Sequence, residues 1–105
     1  MSFFGTQIRS LREARGLLIR QVAAAIELDQ ALLSKIERGE RQATKAQVLT
    51  LADFFSIDQD TLLSRWMGEK IADELQNEGF AEEALKIAAS TIKARYKQEK
   101  EIAQL

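Results

Sequence analysis

The sequence predicts an all-α fold: a five-helix globule followed by a C-terminal helical extension. Three observations carry this. Proline is absent and only five glycines interrupt 105 residues, so little in the chain resists helix. Apolar residues recur at spacings of three and four, the period of a helix with one buried face. Asp29, Thr44 and Asp58 stand just ahead of such runs, where their side-chain oxygens can accept from the free amides of a first turn.

The first helix is predicted from about Phe4 to Arg15. Phe4, Ile8 and Leu11 share a face, and Arg9, Arg12 and Arg15 dominate the rest. Gly16 stops it, since glycine enters the left-handed region without penalty. The second helix runs from about Ile19 to Ile26, with Val22, Ala23 and Ile26 inward. Asp29 then starts a third, from about Gln30 to Glu37, which turns Leu33 and Ile36 inward and ends at Gly39. Two helices joined this tightly must cross steeply.

Thr44-Lys45-Ala46-Gln47 is a capping box and opens the fourth helix, whose core face is Val48, Leu51, Ala52 and Phe55. Phe54 either joins that face or bridges to the first helix. Asp58 caps the fifth helix, which carries Leu62, Leu63, Trp66 and Met67, and then Ile71 and Leu75, to about Asn77. Its second part overshoots what a five-helix globule needs. After a turn at Asn77 to Gly79, a sixth helix runs from about Phe80 to Ala103. Leu85, Ala88, Ile92, Tyr96 and Ile102 trace an apolar stripe along it. A helix of this length is about 36 Å long and needs something to lie against. The expected division is residues 1–66 for the globule and 67–105 for the extension.

Composition excludes several chemistries. There is no cysteine and no histidine, which removes disulfides, Cys/His zinc sites and His or Cys catalysis. Glu82-Glu83, Asp73-Glu74 and Asp58/Asp60 sit at helix starts or on solvated faces, where they favour the helix dipole. No catalytic residue, metal site or cofactor is expected, and Trp66 and Tyr96 are read as packing anchors. No apolar run approaches the roughly 20 residues of a membrane span. The start, MSFFGTQIRS, lacks a basic lead and an apolar segment, so the expected address is the cytoplasm. Net charge is −1, but it is unevenly spread. Residues 1–45 hold eight Lys/Arg against five Asp/Glu, and residues 46–105 hold seven against eleven. A basic front half and an acidic rear half fit a surface facing nucleic acid, backed by one facing a partner.

Gly16-Leu17, Ala23, Leu28 and Leu33-Ser34-Lys35-Ile36-Glu37-Arg38-Gly39 resemble the lambda-repressor-like, or XRE, helix-turn-helix family over about residues 4 to 64. The sequence departs from the family pattern at three places. Leu18 stands where a Ser or Thr usually caps, Ile19 where a Gln usually meets phosphate, and Glu27 where a Gly usually takes a positive φ. A glutamate in that turn costs about 1 kcal/mol relative to glycine unless the turn is remodelled.

The resemblance implies a five-helix DNA-binding globule whose third helix enters the major groove of a double-stranded DNA operator. Gln30 and Lys35 are expected to read adenine and guanine edges, and Ala31 and Leu32 to touch thymine methyls. Ser34, Arg38, Arg41 and Lys45 are expected on phosphates, with Arg20 or Gln21 replacing the contact that Ile19 cannot make. Arg12 and Glu37 are expected to form a structural ion pair. Leu75, Leu85, Ala88, Ile92 and Tyr96 are the expected homodimer surface. The function implied is transcriptional regulation of its own or a neighbouring operon, with control of a restriction–modification system favoured. The competing expectation is an antitoxin or protein-interaction module. In either case the acidic C-terminal helices are the surface for RNA polymerase or another protein partner.

Overall fold

The computed structural model describes residues 2–105. Among these residues are six helices and no strand: α1 (Phe3–Ala14), α2 (Ile19–Ala25), α3 (Gln30–Arg38), α4 (Lys45–Phe54), α5 (Gln59–Leu75) and α6 (Ala81–Ala103). The all-α expectation holds, and each helix end falls within one or two residues of its predicted place. The chain divides into two compact units between Ala72 and Asp73, inside the last turn of α5. Among the described residues, no helix is long and apolar enough to cross a membrane.

The first unit is built around Ile8, Val22, Leu33, Ile36, Val48, Leu51 and Leu62, which are all but inaccessible to solvent. Each such side chain contributes roughly 1.5–3 kcal/mol through burial. They come from α1 through α5, so one core unites all five helices. The predicted caps start these helices. The Asp29 Oδ1 accepts from Leu32 N at 3.1 Å, and the Asp58 Oδ2 from Thr61 N at 3.0 Å. The Thr44 Oγ1 accepts from Gln47 N at 3.2 Å while the Gln47 Oε1 accepts from Thr44 N at 2.9 Å.

The helix ends follow one rule. Gly16 (φ +66°), Glu27 (φ +55°) and Ser56 (φ +56°) take the left-handed conformation after α1, α2 and α4. The next residue in each case is apolar: Leu17, Leu28 and Ile57. Its amide returns to the carbonyl of Arg12, Ala23 or Ala52, and its side chain packs on the core. This is the Schellman closure with its hydrophobic contact. The turn between α2 and α3 is therefore not remodelled around Glu27. Burial of Leu28 and the closed hydrogen bond offset the backbone cost.

Long-range contacts lock the helices together. At Gly5, α1 meets the α3 backbone so closely that a Cβ there would land on the Ile36 carbonyl oxygen. The Arg15 guanidinium donates to the Phe54 and Phe55 carbonyls at 3.0 and 2.9 Å, closing the end of α4. It also lies over both rings, 5.8 and 5.2 Å from their centres, so Phe54 bridges to α1 through Arg15. The buried Trp66 indole donates to the Ala43 carbonyl at 2.9 Å. The Glu69 carboxylate accepts from Phe4 N, in the first turn of α1, at 2.7 Å.

The second unit is dominated by α6, 23 residues and about 35 Å long. No α6 residue is buried. Leu85, Ile87, Ile92 and Tyr96 are between 45% and 65% exposed. Tyr96 is thus an exposed ring with Lys100 Nζ 5.0 Å from its centre, not a packing anchor within its own unit.

Candidate nucleic-acid interface

The inward face of α3 is apolar and its outward face is polar. Leu33 and Ile36 are buried in the core. Gln30, Ala31, Lys35 and Arg38 are exposed and Ser34 is half-buried. With Asp29 and Ile19, these five line one shallow open groove beside α3. The structure thus gathers three of the residues expected to read bases, Gln30, Ala31 and Lys35, with two expected on phosphates, Ser34 and Arg38. Leu32 is not among the lining residues. It is half-buried and packs against the core, which leaves little of it for a thymine methyl.

Arg20, Gln21, Arg41 and Lys45 are exposed but do not line that groove. Arg41 follows α3, and Lys45 is the first residue of α4. At the start of α2, Leu18 has no oxygen with which to cap. Half of the capping box survives, because the Gln21 Oε1 accepts from Leu18 N at 2.7 Å. That leaves the Gln21 side-chain NH2 as its available donor. Ile19 packs against the core as well as lining the groove, which accounts for an apolar residue at that position.

What holds α3 in place is an ion pair at its far end. Arg12 Nε donates to Glu37 Oε2 at 2.8 Å, and Nη2 to Oε1 at 3.0 Å. Arg12 Nη1 donates to the Leu17 carbonyl at 2.9 Å. One guanidinium therefore ties α1, the α1–α2 turn and α3. The Glu37 side chain is 4% exposed and that of Arg12 14%. The fork geometry suits a planar donor and would not survive replacement by lysine. The hydrogen bond to Glu37 holds Arg12 above its already high range, against the opposing effect of burial.

Arg38 is also engaged. Its Nη1 donates to Ser34 Oγ at 2.6 Å, and its Nε and Nη2 donate to the two Glu40 oxygens, each at 3.1 Å. Sequence reasoning missed Glu40. The available signal was local: a left-handed glycine between Arg38 and Glu40 folds the chain back and brings the two side chains together. It also missed Gly5 and Arg15, whose roles lie in contacts between helices far apart in sequence.

The chain was compared with known proteins. Residues 4–66 match a family model described as a helix-turn-helix domain. The chain is 38% identical over 65 residues to a Bacillus subtilis (strain 168) protein described as an uncharacterized HTH-type transcriptional regulator, RghRB. That match covers 61% of this chain and 47% of the relative. It is 38% identical over 64 residues to the HTH-type transcriptional repressor RghR of the same organism, covering 60% of this chain and 47% of the relative. The chain thus spans about half the length of the curated relatives it matches. No solved structure matches it significantly. With the match spanning more than half of its residues, and with the capped, outward-facing α3 that such a motif requires, the chain belongs to the helix-turn-helix domain family, of the lambda-repressor-like kind.

Proposed function

We propose that this protein is a sequence-specific DNA-binding transcriptional regulator of its own or a neighbouring operon, acting as a homodimer in the cytoplasm. The observation that carries this is the α3 surface. Gln30, Ala31 and Lys35 stand exposed along one groove with Ser34 and Arg38, while Leu33 and Ile36 pin the opposite face in the core. The groups face outward in the order that groove reading requires: a side-chain amide at the helix start, an ammonium farther on, and a guanidinium at the end. The relative described as a repressor supports repression as the outcome. Footprinting on the protein's own promoter identifies the operator, and with it whether the operon encodes a restriction–modification system. On that operator, Gln30→Ala/Lys35→Ala is expected to lose about 1–3 kcal/mol of base discrimination per side chain removed while still binding unrelated duplex. A folded double variant with unchanged operator preference would refute the role of α3.

A helix-turn-helix reads few base pairs, and two copies on half-sites about 34–36 Å apart supply the rest. In this reading the second copy covers α6. Leu85, Ala88, Ile92 and Tyr96 form a stripe that finds no cover within its own unit, and Leu75 precedes it on α5. Charge selects the partner's direction. Residues 73–83 carry five carboxylates and no Lys or Arg, whereas residues 86–105 carry five Lys/Arg and two Glu. Antiparallel pairing across a two-fold axis sets each acidic start against the partner's basic end, an isologous contact. Ile92→Asp, in the middle of the stripe, is expected to sediment as a monomer, with a truncation after Asn77 behaving alike. A dimer that survives both changes excludes α6 as the interface.

A further inference from the structure

Glu40 has no role in the core and none in reading bases. The residues in the equivalent position after α1, α2 and α4 are Leu17, Leu28 and Ile57, all packed on the core. Glu40 stands alone there as a charged residue, and its carboxylate turns back onto α3. Its backbone is held firmly. Gly39 takes φ +76°, and Glu40 N donates to the Lys35 carbonyl at 2.9 Å. A Cβ on Gly39 would meet that of Ser2 at 2.7 Å, so the turn is also packed from outside. The Glu40 side chain therefore starts from a fixed point within reach of Arg38.

The contact has the form of a phosphate contact. Two carboxylate oxygens accept from Nε and Nη2 of one guanidinium, at 3.1 Å each. This is the paired geometry in which arginine also takes two phosphate oxygens. The third side of Arg38 is held by Ser34 at 2.6 Å, which aims the guanidinium without neutralising it. Arg38 and Glu40 are 53% and 55% exposed, so an incoming phosphate can reach both. An exposed pair of this kind is weak, so it can be exchanged. The hydrogen bond from Arg38 keeps the Glu40 carboxyl below its usual range, with Lys35 adding to the effect, so it is charged wherever the protein binds DNA.

We infer that Glu40 is an intramolecular stand-in for a DNA phosphate: it occupies Arg38 in the free protein and must give way when the duplex binds. The inference rests on the proposed reading of α3 as the DNA-facing helix. Its consequence is a uniform, sequence-independent reduction in affinity, since the exchange happens on the backbone and carries no base information. Without that exchange, Arg38 would stand open to any duplex.

The experiment titrates the full-length protein against a mixed-sequence duplex of about 30 base pairs, by fluorescence anisotropy, over a salt series. Glu40→Gln is expected to bind about fivefold more tightly at low salt, with the gain shrinking as salt rises. Glu40→Asp, which keeps the charge but shortens the reach, is expected to move part of the way towards Glu40→Gln. In an Arg38→Gln background, Glu40→Gln is expected to change affinity by less than about twofold, because its competitor is gone. An equal gain in both backgrounds would mean that Glu40 acts only through overall charge, and would overturn the inference. So would no gain in the wild-type background. If the folded wild type bound no duplex at low salt, the DNA reading itself would fall, an outcome distinct from either of these.

Discussion

Glu37→Ala is expected to lower stability by about 3–5 kcal/mol and to abolish duplex binding near physiological temperature. The carboxylate it removes is 4% exposed and accepts twice from Arg12. Its loss leaves a guanidinium, itself only 14% exposed, with one carbonyl partner, that of Leu17. A cation in such a site needs the charge that neutralised it, and water cannot reach in to substitute. At about 4–8 °C per kcal/mol for a domain of this size, the melting temperature should fall by roughly 15 °C or more. Circular dichroism on heating checks this. Replacing both partners, Arg12→Met with Glu37→Met, is expected to recover most of the loss, because no buried charge is left without a counterpart. The unmet Leu17 carbonyl would still cost about 1 kcal/mol. A Glu37→Ala protein as stable as the wild type, and still binding DNA, would remove the pair from any part in holding α3.

Gly5→Ala is expected to destabilise the first unit by about 2 kcal/mol or more. The added methyl would collide with the Ile36 carbonyl oxygen and lie 2.6 Å from that of Glu37. Both are backbone atoms of α3, so relief requires moving the helix rather than a side chain. Overpacking of this kind costs about 1–3 kcal/mol or more, against which alanine's better helix propensity returns roughly 1 kcal/mol. The shift would be felt at the DNA face, because Ile36 and Glu37 belong to the helix that carries Gln30 and Lys35. Duplex affinity should therefore fall even at temperatures where the variant stays folded. Gly68→Ala is the control. It lies within α5 with nothing within 4 Å of the new methyl, and should stabilise by about 0.5–1 kcal/mol. If both alanines raised the melting temperature alike, α1 and α3 would not be in backbone contact at Gly5.

Much of this architecture was legible before any coordinates. Asp29, Thr44 and Asp58 announce helix starts, and Gly16 and Gly39 announce stops, because caps and left-handed turns are settled by residues three to five apart. The alternation of apolar and polar positions in α3 gives its two faces for the same reason. Arg12 and Glu37 were paired by resemblance to a family, and no spacing within this one sequence would have joined residues 25 apart.

Other features were decided only when the helices packed. Glu27 illustrates the boundary: from sequence its turn could be strained or rebuilt, and burial of Leu28 settles it in the left-handed form. Gly5 reads as an ordinary weak spot in a helix until the α3 backbone fills the space a side chain would need. Arg15 reads as one of three surface arginines until the last carbonyls of α4 arrive at its guanidinium. Glu40 reads as a solvated charge until the turn at Gly39 folds it onto Arg38. Local hydrogen bonding lets a sequence declare its helices and their outward faces by itself. Which buried surfaces approach to backbone contact, and which charges meet, depends on groups tens of residues apart, and only the packed core brings them together.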